Sequence, residues 1–224
     1  MKRSLGSTRA LAGWALVFLA TFPAIVVALN LVQQDDYHPV KQAISELALG
    51  RGGWLMAIAF CAIGTGILLV AILIRRTVAN STAAPALLAV AALLGGPVSA
   101  VFHTDLTGAK TTTHGQIHNM AGLTAFVLVI VAMFVSSRRF RRDPAWQRFA
   151  RPTLAWALGG VGTFFLIPLL GNGDFGLAQR IFVATWLTWL LTVAAYTRKA
   201  AATAQQPGTL PRAPREPAAE LLTP

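Results

Sequence analysis

The sequence predicts an all-α integral membrane protein, a polytopic bundle of six transmembrane helices. Three observations predict this class. Charged residues make up only 12% of the 224 residues, about half of the ~25% that is usual in soluble domains. The apolar residues fall into six blocks of about 20 residues, the length at which a helix crosses a bilayer. Lys and Arg are also distributed unevenly between alternate connections, which is typical of a membrane topology signal.

The six blocks have the composition of transmembrane spans. The first five contain no Asp, Glu, Lys or Arg, and the sixth contains only Arg180, near its start, where a long side chain can reach the interface. Glycines inside the blocks, such as Gly64 and Gly96, favour close contact between helices. The predicted spans are Leu11–Leu31, Trp54–Ile74, Ala83–Phe102, Gly115–Val135, Thr153–Leu170 and Leu177–Tyr196.

The first block also fits a secretory signal peptide. Lys2 and Arg3 precede it, and residues 26–28 resemble a cleavage site. The block is long for a signal peptide, however, and Pro23 and Asn30 lie inside it. These features favour a span that stays in the protein.

Fifteen of the nineteen Lys and Arg residues lie on one side of the predicted membrane domain, residues 11–197. The positive-inside rule therefore predicts that residues 1–10 and the C-terminus lie in the cytoplasm, with the domain in the plasma membrane. The Pro- and Ala-rich segment 198–224 is predicted to be a disordered tail. The arginine run at residues 138–142 is interpreted as a topology anchor, with attraction of anionic membrane lipid as the alternative.

The sequence also argues against two other kinds of protein, a nucleic-acid-binding protein and a disulfide-stabilised domain. No basic soluble module remains that could bind nucleic acid. Cys61 is the single cysteine, so an intrachain disulfide is impossible.

The four histidines all lie on the predicted outer side, together with five of the eight acidic residues. We therefore expect any reactive or binding site to face outward.

The first outer connection is predicted to contain a short amphipathic helix over residues 39–49, lying in the outer interface. The range begins with a proline and is followed by a glycine, as helix ends favour. Apolar residues recur at i, i+4 and i+7 from Val40. Ser45 and Glu46 lie on or beside this stripe. They are candidate catalytic residues, with solvated or capping groups as the alternative.

The second outer connection carries candidate metal ligands. A capping box that begins at Thr113 predicts that the fourth span begins near His114. His114 and His118 are then separated by four residues and lie on one face of the helix, as a metal pair requires. His103 and Asp105 offer a third and a fourth ligand. Imidazole and carboxylate suit zinc or a similar divalent ion.

Two other interpretations of these residues stay open. They form a metal-free polar or catalytic cluster, or they are purely structural. In the structural interpretation His114 is an interface residue and His118 donates to a backbone carbonyl. Asp105 then accepts amides within its own turn.

The third outer connection, residues 170–176, is predicted to be a tight Gly-rich turn. Arg180 follows it at the start of the sixth span, on the side with few basic residues. We expect Arg180 to have a specific partner. The candidates are an anionic head group and three acidic residues, Asp105, Asp174 and Glu46.

Four segments carry a resemblance to a known family. They are His38-Pro39 with Ile44-Ser45-Glu46-Leu47 and Gly50, then Phe102-His103-Thr104-Asp105, then His114-Gly115-Gln116-Ile117-His118, and last Gly176-Leu177-Ala178-Gln179-Arg180. Over residues 11–197 the chain resembles the bacterial membrane family known as domain of unknown function 998. That resemblance implies a multi-pass membrane protein and no established activity. The family pattern has a proline or similar residue where His103 stands.

A more distant similarity is to the superfamily of membrane hydrolases that includes alkaline ceramidases and the adiponectin receptors. In those proteins a Ser, an Asp and three His surround zinc near one membrane face. This chain has Ser45, Asp105, His114 and His118 on one predicted face. It differs in having six spans instead of seven and in placing its histidine pair at the fourth span.

Two classes of function remain. The first is a metal-dependent hydrolase acting on a lipid or amide, in which the histidine pair and Asp105 hold the ion and activate water. Ser45 or Glu46 then assists proton transfer, and Arg180 holds an anionic group. The second is a non-catalytic lipid- or ligand-binding sensor or partner subunit. A small-solute transporter is disfavoured because the span centres lack ionisable residues. The sequence does not indicate the oligomeric state.

Overall fold

The computed structural model describes residues 2–204, without the side chains of residues 2–6, 171 and 172. Within that range the protein is helical and contains no strand. Six helices are long and apolar enough to cross a membrane, so the six-span prediction is confirmed. In chain order the first to sixth spans are Ser7–Val32, Trp54–Thr77, Ala83–Val101, Thr113–Phe140, Gln147–Leu170 and Gly173–Thr203.

Several spans extend past their predicted limits. The helix that contains the first span begins at Lys2, the fourth span continues to Phe140, and the sixth continues to Thr203. Arg and Lys are good helix formers whose apolar stems can follow the bilayer boundary, so helices can continue through them. The predicted disordered tail therefore begins as helix, and its residues 205–224 lie outside the described range.

The third span is interrupted before its end. The α-helix Ala83–Leu93 passes into a π-helical turn, Leu94–Val98, and ends with the single turn Ser99–Val101. Pro97 cannot donate a backbone hydrogen bond, and Gly96 has φ −99° and ψ −105°, outside the helical region. Gly96 lies directly against Gly64 of the second span, because a Cβ on Gly64 would be 2.8 Å from the Gly96 Cα. The predicted close helix contact at this glycine pair is confirmed.

The fifth and sixth spans form an antiparallel hairpin within one helical element, Gln147–Thr203. Trp156 Nε1 donates to Thr188 Oγ1 at 3.2 Å, and the rings of Phe164 and Phe182 are 5.5 Å apart. Residues 156 and 188 would be about 48 Å apart on a straight helix that rises 1.5 Å per residue. The chain therefore reverses between the two spans, where the sequence predicts the Gly-rich connection.

The bundle has two chemically distinct ends. At the arginine end, both termini of the described chain meet, because Arg76 of the second span donates to Ser7 and Arg198 approaches Gly13. The connections 78–82 and 141–146 lie at the same end. At the histidine end lie the connections 33–53 and 102–112 and the reversal between the fifth and sixth spans.

The short helix in the first connection differs from its prediction. It is a 3-10 helix, Ile44–Leu49, which begins five residues later than predicted, and its first four residues are buried against the rest of the protein. An α-helix from residue 39 would need the Val40 carbonyl for internal pairing. That carbonyl instead accepts from the backbone N–H of Leu177 at 2.9 Å.

Candidate functional site

A loop layer covers the histidine end of the bundle. We use this name for residues 33–53, residues 102–112 and the start of the sixth span, residues 176–180. All four segments that carry the family resemblance contribute to this layer or to the helix turn beside it. The histidines and acidic residues singled out in the sequence lie in this layer or directly beside it.

Arg180 fastens the first connection to the sixth span. Its Nη1 donates to the carbonyl oxygens of Pro39 at 2.6 Å and Gln42 at 3.1 Å. Its Nη2 donates to the hydroxyl of Tyr37, and its Cζ lies 5.6 Å from the centre of the Tyr37 ring. Within the described residues, the partner of Arg180 is thus a set of carbonyls and a phenol instead of a carboxylate.

Tyr37 is a buried anchor that the sequence analysis missed. Its side chain is 4% exposed, and its hydroxyl donates to the Ala43 carbonyl at 2.8 Å. Burial raises the pKa of the Tyr37 hydroxyl above its ordinary value, the Glu46 charge raises it further, and the Arg180 guanidinium opposes both. A lone aromatic residue within a polar connection was the signal that could have identified it.

Gly176 and Gln179 complete the attachment of the sixth span. A Cβ at Gly176 would lie 2.3 Å from the Gln42 carbonyl oxygen and 2.5 Å from that of Pro39, so a side chain there would displace the first connection. Gln179 Oε1 accepts from the backbone N–H of Ile44 at 2.8 Å. The segment 176–180 is therefore specialised for contact with the first connection.

Glu46 links the connection 33–53 to the connection 102–112. The side chain is 3% exposed. Its Oε1 accepts from the Ala43 N–H at 3.0 Å and the Thr107 hydroxyl at 2.7 Å. Its Oε2 accepts from Gln42 Nε2 at 3.2 Å and the Thr107 N–H at 3.3 Å. With four donors, this carboxylate is engaged as a structural acceptor.

Asp105 positions the start of the fourth span. Its two oxygens accept from the Thr112 N–H at 2.8 Å and the Thr112 hydroxyl at 2.9 Å. The hydroxyl oxygen in turn accepts from the Gly115 N–H at 3.1 Å. Thr112 is therefore the capping residue, one position before the predicted Thr113. A Cβ on Gly115 would lie 1.9 Å from Asp105 Oδ2, so glycine lets the carboxylate approach the positive end of the helix.

The two histidines of the fourth span have separate environments around Phe102. His118 is 7% exposed, and its Nδ1 lies 2.8 Å from the Phe102 carbonyl oxygen. Because a carbonyl only accepts, Nδ1 carries the proton. The His118 ring also lies 5.6 Å from that of Phe60. His114 is exposed and packs on the Phe102 side chain, with ring centres 5.3 Å apart.

The four candidate metal ligands are not assembled into one site. His103 and His114 are exposed, while His118 and Asp105 bond to Phe102 and Thr112. Across residues 2–204, no group of three or more His, Cys, Asp or Glu side chains is placed to hold a metal. The observed contacts of His118 and Asp105 correspond to the structural interpretation, in which they pair with the backbone.

A cavity of about 820 Å³ lies beneath the loop layer, and all six spans contribute to its lining. Its lining next to the loop layer is polar and includes Ser45, Glu46, Asp105, His118, Asn119 and Gln179. Its lining from the middle of the spans is apolar and includes Phe22, Ile63, Ile67, Val129, Val183 and Trp186. The cavity therefore changes from polar to apolar with depth.

Of the two candidate catalytic residues, Ser45 is the one whose side chain is free to contact a ligand in the cavity. It is 9% exposed and lines the cavity. Within the described chain its hydroxyl has no hydrogen-bond partner. Glu46 and Asp105 line the same cavity, but their oxygens are already bonded to the loop layer.

The fold and this site define a polytopic α-helical membrane protein with a loop-covered cavity at its histidine end. The chain belongs to the family described as protein of unknown function (DUF998), which matches residues 11–196. Neither the curated proteins nor the solved structures include a significant match to it. The distant similarity to ceramidases and adiponectin receptors thus gains no support from these comparisons.

Proposed function

We propose that this protein binds a single-chain amphiphile in the central cavity, with the head group beneath the loop layer and the chain among the spans. The observation that carries the proposal is the change in the lining from polar to apolar with depth. The volume of about 820 Å³ falls within the range of about 300–1,000 Å³ that is typical of small-molecule sites. This function belongs to the non-catalytic, ligand-binding class.

The polar lining favours a neutral or cationic head group. Two carboxylates, Glu46 and Asp105, line this part of the cavity, whereas the described lining contains neither Lys nor Arg. An anionic head group would lack a compensating charge there. Ser45 and Asn119 offer hydrogen bonds to a hydroxyl or amide head group, such as that of a monoacylglycerol or a fatty amide.

A pair of glycine variants tests this binding. Gly122 lines the cavity, and a Cβ built there meets no atom within 4 Å, so Gly122→Phe fills cavity space without a backbone clash. Gly162 also has no atom within 4 Å of a built Cβ, but it is exposed and lies outside the described lining. Gly162→Phe is therefore the matched control.

The measurement is a titration of detergent-purified protein with a monoacylglycerol that carries a fluorescent acyl chain. We expect Gly122→Phe to weaken binding by about tenfold or more, which corresponds to about 1.4 kcal/mol. Gly162→Phe should bind as the wild type does. Equal affinities of the wild type and both variants would contradict the proposal.

Hydrolysis of a lipid or amide bond in the bound amphiphile is a second candidate. The unpartnered hydroxyl of Ser45 favours it, because this group lines the cavity together with His118 and Asp105. Ser45→Ala should then remove product formation from a monoacylglycerol or fatty amide while preserving binding of the probe. Absence of product from the wild type would remove this candidate and leave the binding proposal standing.

A metal-dependent form of that reaction has its own test. Metal analysis of detergent-purified wild type and His118→Ala measures whether a divalent ion such as zinc is present. About one zinc per chain in the wild type, lost in His118→Ala, would support a metal role for the histidine pair. No bound metal in either protein would remove the metal-dependent hydrolase.

We further propose that the protein lies in the plasma membrane with the histidine end outside and both termini in the cytoplasm. The bias of Lys and Arg towards the arginine end supports this orientation. Lys110→Cys and Arg141→Cys, each in a Cys61→Ser background, place a thiol at an exposed position of each end. A membrane-impermeant maleimide added to intact cells should label the first variant and not the second. The opposite pattern would reverse the orientation.

A further inference from the structure

We propose a second binding site, for the phosphate of an anionic phospholipid, at the arginine end between the connection 78–82 and the end of the fourth span. A pocket of about 340 Å³ lies there. Its lining includes the turn Asn80-Ser81-Thr82, the start of the third span at Ala83, and Arg138, Arg139 and Arg142. The site is separate from the cavity of the proposed function and does not depend on it.

Three arginines converge on the pocket from one side. Arg139 is held in place, because its Nε donates to the Asn80 carbonyl at 2.9 Å and its Nη2 bonds to the same oxygen. Arg138 and Arg142 are exposed, and neither side chain has a partner within residues 2–204. Two guanidinium groups are thus free to bind a phosphate, which arginine recognises through paired N–H groups.

The opposite wall supplies further donors. The third span begins at Ala83 with no side chain bonded across its end, so its first backbone N–H groups are available to an anion. Asn80 has a φ of +50°, a left-handed conformation that asparagine tolerates, and this tight turn brings Ser81 to the pocket. The pocket therefore lies between a helix start and the arginine side chains.

Ser81 gives an independent indication of a ligand. It is 3% exposed and lines the pocket, yet its hydroxyl has no partner among the described residues. Within residues 2–204, the side-chain atoms that are both unpartnered and fully enclosed are the Ser136 hydroxyl and the Trp186 indole nitrogen. Although the residue is buried, the Ser81 oxygen is consequently accessible, and a ligand or water in the pocket can complete its hydrogen bonds.

The balance of charge favours an anion. The described lining contains three arginines and no carboxylate. Asp143 lies beside the turn, but its oxygens accept from the Ala79 N–H at 2.9 Å and the Ala145 N–H at 3.0 Å. The pocket is therefore strongly positive.

A phospholipid is favoured over a free anion by the position of the pocket. It lies where the third span begins and the fourth ends, which is the depth of the head groups. Val135 also lines it, one turn deeper along the fourth span, and offers an apolar contact to the acyl region. Anionic lipids are attracted to basic segments at such positions.

The test is native mass spectrometry of the full chain in detergent, titrated with phosphatidylglycerol or phosphatidylcholine of the same acyl composition. We expect the wild type to bind phosphatidylglycerol more tightly. Arg142→Gln should weaken that binding by about fivefold, and Ser81→Ala by about threefold to tenfold. Arg141→Gln is the matched control, because it removes the same charge from an exposed arginine outside the described lining, and it should change affinity by at most about twofold.

Three results would overturn the proposal. The first is equal binding of the two lipids. The second is an effect of Arg141→Gln as large as that of Arg142→Gln, which would indicate attraction by net charge alone. The third is displacement of phosphatidylglycerol by inorganic phosphate at the same concentration as the lipid, which would assign the pocket to a free anion.

Discussion

Arg180 donates to the hydroxyl of Tyr37 and places its guanidinium over the Tyr37 ring, so two residues 143 positions apart in sequence hold the loop layer to the sixth span. The same guanidinium donates to two carbonyls of the first connection. A planar group with several N–H donors is needed for this set of contacts, because the acceptors lie in different directions.

Arg180→Lys is therefore expected to destabilise the protein. An ammonium group on a flexible stem cannot reach the carbonyls of Pro39 and Gln42 and the Tyr37 hydroxyl in the same way, and we expect a loss of about 1–3 kcal/mol. Chemical unfolding in mixed micelles measures this loss in the free energy of unfolding. Arg51→Lys, at an exposed position of the same bundle end, is the control and should have little effect. Similar stability of both variants would contradict this role of Arg180.

Tyr37→Phe should make stability less dependent on alkaline pH. The Tyr37 hydroxyl in the folded protein has a raised pKa, chiefly because it is buried, whereas the unfolded chain ionises near the usual value of about 10. Above about pH 10, the folded wild type therefore binds more protons than the unfolded chain. Its free energy of unfolding falls as the pH rises from about 10 through the pKa of Tyr37 in the folded protein.

At neutral pH, Tyr37→Phe should be less stable than the wild type by about 1 kcal/mol, because it loses the bonds to Ala43 and Arg180. The difference should narrow above about pH 10. Unfolding measured for both proteins from neutral to alkaline pH tests this. A difference that stays constant or widens would be inconsistent with a buried, protonated hydroxyl.

Gly115→Ala and Gly122→Ala form a matched pair on the fourth span. The Cβ at residue 115 would overlap the Asp105 carboxylate, whereas the Cβ at residue 122 would meet no atom within 4 Å. We expect Gly115→Ala to cost about 1–3 kcal/mol, because Asp105 must release Thr112. Gly122→Ala should instead stabilise the helix by up to about 1 kcal/mol. Thermal unfolding in detergent compares them, and equal shifts would show that Asp105 does not depend on this glycine.

Glu46→Gln should weaken the contact between the connections 33–53 and 102–112. An amide nitrogen would replace one carboxylate oxygen and face the donors of Ala43, Gln42 or Thr107, so we expect a loss of about 1–3 kcal/mol. Asp36→Asn is the control at an exposed acidic position in the same connection. Proteolysis of the connections and unfolding in mixed micelles provide two measurements. If both variants behave as the wild type, the carboxylate does not hold the layer together.

The six spans were predictable because each is a local property of the sequence. A block of about 20 apolar residues crosses a bilayer whatever its neighbours are. The first and last residues of the spans were less predictable, since Arg138 and Arg139 continue the fourth span where their charge suggested an end. The reversal near residues 170–176 was indicated by its glycines.

The candidate site was less predictable, because it depends on contacts between distant segments. Spacing placed His114 and His118 on one helix, but their positions at the Phe102 side chain and carbonyl depend on where the chain leaves the third span. The length of the short helix was also overestimated. Its backbone bonds to the sixth span more than 130 residues away, and no local pattern reports such a partner.

The attachment of the first connection, residues 33–53, to residues 176–180 has a consequence for biosynthesis. The first connection leaves the ribosome early, while its partners Leu177, Gln179 and Arg180 belong to the last span. Until that span inserts, the Pro39 and Gln42 carbonyls and the Ile44 N–H lack these partners. We therefore expect a nascent chain that stalls before residue 176 to be cleaved by proteases at this connection more readily than the complete chain.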